Sequence, residues 1–135
     1  MSDPAPKLSS VAPVFLVSDL MASAKYYRDR LGFTHDRYWG EPPSFVMVHR
    51  DGFTIMLAQH SHGERPGATN PNGRVTGHED QWDASIWVEN LEALHDEVKA
   101  AGATISVELH DQPYGMREFQ VADPDGYQIV FGAPL

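Results

Sequence analysis

The sequence predicts an α+β protein built from two copies of one βαβββ module. The first observation is an internal repeat: residues 51–57 reappear as residues 125–131, and both read Asp, Gly, aromatic, polar, Ile, apolar, apolar. The second is that each copy carries one helical pattern, which ends at Gly32 or at Gly102. Because pairing two such units brings two sheets together, we expect a cleft between them where a ligand binds.

The composition is typical of a globular protein: 135 residues, of which 41% are hydrophobic and 21% charged. The chain has no cysteine, which excludes disulfides and thiolate chemistry and fits the reducing cytoplasm, where we expect the protein to be located. The net charge of −9 argues against a nucleic-acid partner, because phosphates would be repelled. No segment is apolar over the length of a signal peptide or a bilayer span, so no membrane partner is expected.

The pattern of the chain divides it into four segments. The linker between the two modules has no periodicity and is rich in Gly, Pro, Asn and charged residues, which is typical of a connection or a functional loop. We expect an N-terminal tail at residues 1–10, a first module at 11–59, a linker at 60–81 and a second module at 82–132.

In the first module, a helix follows the first strand. Asp19 is a good N-cap for this helix, and Leu20, Ala24, Tyr27 and Leu31 form one apolar stripe along it. Asp51-Gly52 is a strong signal for a hairpin between the last two strands. The predicted strands are residues 11–17, 33–39, 45–49 and 53–59.

The second module repeats this order. Asn90 is predicted to cap its helix, with Leu91, Leu94, Val98 and Ala101 on one side. The predicted strands are residues 82–88, 104–109, 117–122 and 127–131.

Strand alternation predicts which side chains face the helices and which face the cavity. The apolar sets expected on the helix side are Phe15, Val17, Ile55, Leu57, Ile86, Val88, Phe119, Val121, Ile129 and Phe131. The mixed sets expected on the cavity side are Ala12, Val14, Leu16, Thr54, Met56, Ala58, Asp83, Ser85, Trp87, Glu118, Gln120, Gln128 and Val130. The repeat pairs Val46 with Gln120 and places Val46 toward the cavity as well.

These segments resemble the vicinal oxygen chelate superfamily, which includes glyoxalase I, fosfomycin resistance proteins, extradiol dioxygenases and bleomycin resistance proteins. Residues 123–131 resemble its C-terminal signature, and residues 17–20 with Tyr26-Tyr27 and residues 31–33 resemble its N-terminal signature. The resemblance implies two βαβββ modules that form a curved mixed sheet around a cavity, the glyoxalase/bleomycin resistance fold. It also implies a homodimer.

The resemblance further implies where a divalent metal would bind, on the first and last strands of each module. The corresponding positions here are Ala12, Met56, Asp83 and Val130, and three of them cannot bind a metal. We therefore expect no metal and no cofactor. The chain is closest in character to the metal-free bleomycin resistance branch, which gives antibiotic resistance by sequestering a drug without converting it.

The expected partner is a small aromatic or cationic molecule, held by tryptophan rings and acidic side chains. Trp87 either contacts this ligand or fills space between the sheets. Glu118 either faces the ligand as a cation-binding or acid–base carboxylate, or pairs with a Lys or Arg across the sheet. The candidate ligand-binding residues are Trp39, Thr54, Met56, Asp83, Ser85, Trp87, Tyr114, Glu118, Gln120 and Gln128.

Two other functions stay open, and no catalytic residue is assigned. One is a metal-dependent lyase, isomerase or dioxygenase of glyoxalase type, whose atypical metal site would combine Asp83, Glu118 and a histidine. The other is an interaction domain with no small-molecule role. None of the seven histidines falls at a position that the resemblance marks: His35, His49, His60, His62, His78, His95 and His110.

Overall fold

The computed structural model describes residues 3–60 and 82–135. The predicted linker beyond His60, and with it His62 and His78, lies outside the described residues. The described part contains two helices and eight strands in the order β-α-β-β-β, twice, so the predicted α+β class and the two modules are confirmed. Neither of these helices has the length and hydropathy that crossing a bilayer requires.

The first module forms a four-stranded mixed sheet in the order β1-β4-β3-β2. β1 runs parallel to β4, and the other neighbours are antiparallel. β1 begins at Val14, later than predicted, because Pro13 has no N–H to donate to the sheet. The strands are β1 (Val14–Val17), β2 (Thr34–His35), β3 (Phe45–Arg50) and β4 (Phe53–Gln59).

Helix α1 (Leu20–Leu31) covers one face of this sheet. Its predicted ends are confirmed: the Asp19 carboxylate accepts a hydrogen bond from the Ala22 N–H at 3.1 Å, and Gly32 has a φ of 74°, in the left-handed region that favours glycine. The predicted stripe is buried, and Tyr27 is the largest side chain that it places in the core.

The second module forms its own sheet, in the order β5-β8-β7-β6. The prediction that Asn90 caps the helix of this module with its side chain is wrong. Its φ of 59° lies outside the extended conformation that a capping residue needs. The elements are β5 (Ala84–Trp87), α2 (Leu91–Ala100), β6 (Thr104–Asp111), β7 (Met116–Ala122) and β8 (Gln128–Pro134).

The helix-side faces of both sheets share one hydrophobic core, as alternation predicts. Phe15, Leu57, Phe119 and Ile129 are buried in it, whereas Ile86 at the edge strand β5 is only half-buried. Burying such side chains is the main favourable contribution to folding. The core therefore belongs to both modules together rather than to either alone.

The placement of Val46 toward the cavity is wrong. Val46 pairs with Leu57 in the β3–β4 hairpin and is fully buried on the helix side. Met47, which pairs with Met56, occupies the opposite face instead. The repeat misleads here because the β3–β4 turn has two residues, whereas the β7–β8 connection has five, so strand positions equivalent in sequence differ by one in register.

Residues 123–127, which connect β7 to β8 and which we call the seam turn, join the two modules. The Tyr127 ring stacks on Phe15 with ring centroids 4.2 Å apart and planes 6° from parallel. The Tyr127 hydroxyl accepts a hydrogen bond from the Leu16 N–H at 3.0 Å. The seam turn of the second module thus packs against β1 of the first.

The Asp123 carboxylate lies at the centre of this contact. It accepts hydrogen bonds from the Tyr27 hydroxyl at 2.8 Å and from the N–H groups of Asp125 and Tyr127, each at 2.9 Å. Asp125 in turn accepts from the Ser18 N–H at 3.0 Å. Burial raises the pKa of Asp123 to about 7, against the opposing effect of the hydrogen bonds that it accepts.

Candidate functional site

Each sheet has one face turned away from the helices, and these two faces form the candidate site. The first open face carries Val14, Leu16, Met47, Thr54 and Met56. Val14 is 57% exposed and Leu16 is 45% exposed, although both are apolar. The second open face carries five of the ten predicted ligand-binding residues: Ser85, Trp87, Glu118, Gln120 and Gln128.

A chain of hydrogen bonds orders the polar side chains of the second open face. The Trp82 indole N–H donates to Gln120 Oε1 at 3.0 Å, and Gln120 Nε2 donates to Gln128 Oε1 at 3.2 Å. The Ser106 hydroxyl also donates to Gln128 Oε1, at 2.6 Å. Because the Gln120 amide is held at both its oxygen and its nitrogen, and the Gln128 amide at its oxygen, this face has polar groups in fixed positions.

Glu118 is a buried carboxylate on this face, only 5% exposed. The Tyr114 hydroxyl lies 2.8 Å from both carboxylate oxygens, and Gln112 Nε2 donates to Oε1 at 3.1 Å. The described residues place no Lys, Arg or His side chain in an ion pair with it, so the pairing considered for Glu118 is not found there. Its charge is held in place by neutral donors.

Trp87 and Glu118 flank the same glycine. Trp87 pairs with Gly132 across β5 and β8, and Gly132 pairs with Glu118 across β8 and β7. A Cβ added at Gly132 would lie 3.1 Å from Glu118 Cγ, so a larger residue at this position would displace the Glu118 side chain. Trp87 is 74% exposed and therefore does not fill space within the chain.

Asp83 has a different place and role. Its carboxylate accepts a hydrogen bond from the Gln128 N–H at 2.7 Å. Asp83 is four residues from Trp87 along the strand direction, which corresponds to about 13 Å. A carboxylate pair between Asp83 and Glu118 is therefore not formed, and Asp83 supports the start of β8 instead.

Three of the predicted residues, Trp39, Thr54 and Met56, lie on the first module rather than beside Glu118. Trp39 forms an isolated bridge with Phe45, and the Arg37 guanidinium lies 4.0 Å from the centre of its ring. The Trp39 carbonyl also accepts a hydrogen bond from the Ser44 N–H at 2.7 Å, which closes the turn that follows it. Thr54 lies on the first open face, on β4.

The sequence analysis missed a polar group around Thr54. His49 Nδ1 lies 2.8 Å from the Thr54 hydroxyl, and His49 Nε2 lies 2.9 Å from Asp36 Oδ2. The His49 ring therefore lies between the Thr54 hydroxyl and the Asp36 carboxylate. The signal was available, because a two-residue Asp51-Gly52 turn makes His49 and Thr54 direct cross-strand neighbours.

The four positions at which relatives would hold a metal carry few donors. Ala12 and Met56 are half-buried, and Val130 is fully buried, so Asp83 is the only one of the four with a carboxylate. Within residues 3–60 and 82–135, no group of three or more His, Asp or Glu side chains is arranged to hold a metal ion.

Comparison with known proteins identifies the superfamily to which a chain with this fold belongs. The family model described as the Glyoxalase/Bleomycin resistance protein/Dioxygenase superfamily matches residues 8–131. The chain belongs to this superfamily.

Three individual proteins show what this chain is similar to within the superfamily. A bleomycin resistance protein from Geobacillus stearothermophilus is 28% identical, over 88% of this chain and 92% of the relative. The bleomycin-binding protein of Streptomyces verticillus, solved with copper(II)-bleomycin, superposes with a TM-score of 0.70 at 25% identity, over 97% of this chain and all of that one. A glyoxalase-related enzyme from Clostridium phytofermentans shares the fold, with a TM-score of 0.71 at 18% identity, over 98% of this chain and 100% of that one.

Proposed function

We propose that this protein binds and sequesters a small aromatic or cationic compound, without a bound metal ion and without converting it. The observation that carries the proposal is the Glu118 carboxylate, which is buried and held by the neutral donors Tyr114 and Gln112. A buried carboxylate with no cation beside it is electrostatically unsatisfied. A cationic group of a ligand would supply the missing charge.

The ring of Trp87 adds the second half of the recognition. An exposed indole offers a broad apolar surface on which an aromatic ring stacks or over which a cation lies. Because Trp87 and Glu118 flank Gly132, a ligand with a flat ring and a positive charge contacts both. The similarity to proteins named for bleomycin resistance and bleomycin binding supports this ligand class.

We also propose that two copies associate through their open faces. Val14 and Leu16 on the first open face and Trp87 on the second leave a large apolar area exposed in one copy. Joining the first face of one copy to the second face of another would cover these side chains and enclose the ligand.

Sedimentation should therefore show a dimer at micromolar concentrations. Replacing Leu16 with aspartate places a charge on the apolar face and should give a monomer. Met21→Asp is the matched control, because Met21 is equally exposed but lies on α1, away from both open faces. A monomeric wild type, or equal effects of the two substitutions, would contradict the proposed dimer.

The functional test is drug tolerance together with direct binding. Expression in a bleomycin-sensitive bacterium should raise the tolerated concentration, and bleomycin added to the purified protein should quench tryptophan fluorescence in a saturable way. Recovered bleomycin should be chemically unchanged. If bleomycin and flat aromatic cations such as ethidium all fail to quench and tolerance does not rise, the sequestering function is wrong.

A further inference from the structure

The contact between the two modules, which we call the seam, has two ends. The internal repeat places equivalent residues at both of them. At one end the seam turn, with Asp125 and Tyr127, packs against β1. At the other end the equivalent residues Asp51 and Phe53 lie beside β5. Symmetry predicts the same contacts at both ends, but within residues 3–60 and 82–135 only the first end makes them.

At the closed end, side chains of the seam turn satisfy the free edge of β1. The Leu16 N–H donates to the Tyr127 hydroxyl and the Ser18 N–H donates to Asp125, each at 3.0 Å. The Tyr127 ring covers Phe15 at the same time. An aromatic ring that carries an oxygen acceptor therefore fits against the free edge of such a strand.

At the open end, the part of the chain that the structure describes places no such ring and acceptor against the strand edge. Phe53 replaces Tyr127, has no hydroxyl and is 60% exposed, and no atom lies within 4 Å of a Cβ added at Gly52. A groove of about 650 Å³ remains between β4, β5 and α2, with Phe53, Ile86 and Leu94 among its walls. This volume is within the range of small-molecule sites.

The edge of β5 in this groove carries unused donors. The Val88 N–H donates to the Gly132 carbonyl at 2.8 Å. Because N–H groups alternate in direction along a strand, those of Trp87 and Glu89 point away from β8. In the same way, those of Leu16 and Ser18 point away from β4 at the closed end. The described part of the chain supplies no side-chain acceptor for either group.

We propose that this groove is a second ligand site, which binds an uncharged phenol. Its ring would pack against Ile86 and Phe53, and its oxygen would accept a hydrogen bond from the Trp87 N–H, as Tyr127 does at the closed end. An anionic ligand is disfavoured because Asp51, Glu89 and Glu97 outnumber Arg50 around the groove. The Arg50 guanidinium is already engaged by the Glu97 carboxylate, at 2.6 and 3.1 Å.

The test uses 4-methylphenol, which is the tyrosine side chain as a free molecule, and follows backbone amide signals by NMR. We expect saturable shifts of the Trp87 and Glu89 amides at millimolar concentrations, as suits so small a ligand. Toluene, which lacks the oxygen, should bind at least several-fold more weakly. Equal binding of toluene would overturn the assigned hydrogen bond, and shifts confined to open-face residues that do not line the groove, such as Ser85, Gln120 and Gln128, would overturn the site.

A filled groove provides the matched control. Ala93→Trp places a large side chain in the groove from an exposed position of α2 and should weaken 4-methylphenol binding at least tenfold. Ala100→Trp makes the same change at an exposed position of the same helix outside the groove, and should leave binding unchanged. If both variants bind 4-methylphenol equally, or if the Glu89 and Ala93 signals depend on protein concentration because a second copy fills the groove, the proposal is wrong.

Discussion

Replacing Asp123 with asparagine should remove a large pH dependence of stability. The pKa of this carboxyl is about 7 in the folded protein, against 3.8 for a free aspartate. Between these values the folded state binds more protons than the unfolded state, so its contribution to stability is full below pH 4 and is lost as the pH rises through 7. Three pKa units correspond to about 4 kcal/mol of unfolding free energy.

Asparagine is neutral at every pH and keeps an oxygen for the Asp125 and Tyr127 N–H groups. Urea unfolding at pH 4 and pH 8 should therefore show the wild type losing about 3–4 kcal/mol relative to the Asp123→Asn variant as the pH rises. The exposed carboxylates contribute equally to both proteins and cancel in this difference.

Tyr27→Phe is the companion variant. It removes one hydrogen bond to Asp123 but keeps the titrating carboxyl, so it should lower stability by about 1–3 kcal/mol and still lose stability as the pH rises. Parallel pH profiles for wild type and Asp123→Asn would show that Asp123 is ionised throughout. The seam turn would then be held by a charged rather than a proton-linked contact.

Replacing Glu118 with glutamine should weaken the binding of a cationic aromatic ligand about 10- to 100-fold. The change keeps the shape of the side chain and an oxygen for the Tyr114 hydroxyl, and removes the charge. A hydrogen bond or ion pair to a charged group contributes about 1.5–3 kcal/mol, which corresponds to this range of affinity. The measurement is a fluorescence titration with bleomycin or ethidium at low salt.

Two controls make this result specific to the site. Glu108→Gln removes a carboxylate from β6 that pairs with His95 and Lys99, on the helix side, and should leave affinity unchanged. A neutral flat aromatic compound should bind wild type and Glu118→Gln equally. If Glu108→Gln weakens binding as much as Glu118→Gln does, the overall charge rather than this carboxylate attracts the ligand.

The elements that the sequence predicted well are those whose signals are local. Asp19 and Gly32 bound α1 through a side-chain hydrogen bond and a left-handed backbone, both of which depend on a few neighbouring residues. The faces of β4 followed from alternation, since Ile55 and Leu57 are buried whereas Thr54 and Met56 are half-buried. In β8, Val130 is buried as well as Ile129 and Phe131, so burial does not alternate there. The Asn90 cap was not found because this residue is left-handed, a conformation that asparagine adopts more readily than most other residues.

The register of β3 could have been predicted from the length of the turn that follows this strand. Residues 45–48 are all apolar, so alternation cannot assign their faces. The two-residue Asp51-Gly52 turn, however, pairs Arg50 with Phe53 and therefore Val46 with Leu57. Counting outward from the turn places Val46 in the core, whereas alignment of the two repeats does not.

The environment of Glu118 could not be read from the sequence. Its partners Gln112 and Tyr114 reach it through a tight turn before β7, in which the Gly115 N–H donates to the Gln112 carbonyl at 3.1 Å. Likewise, the two ends of the seam carry equivalent residues of the repeat, and the difference between these ends depends on how Phe53 and Tyr127 pack. Both features are products of tertiary structure.

The most direct measurement for the central claim is a calorimetric titration of bleomycin into protein dialysed against a strong chelator. Binding by Glu118 and Trp87 alone predicts saturable affinity that is the same with and without the chelator, with no Zn²⁺, Mn²⁺ or Fe²⁺ in stoichiometric amount in the protein. Binding that disappears on chelation and returns on adding one of these ions to the protein would contradict the account.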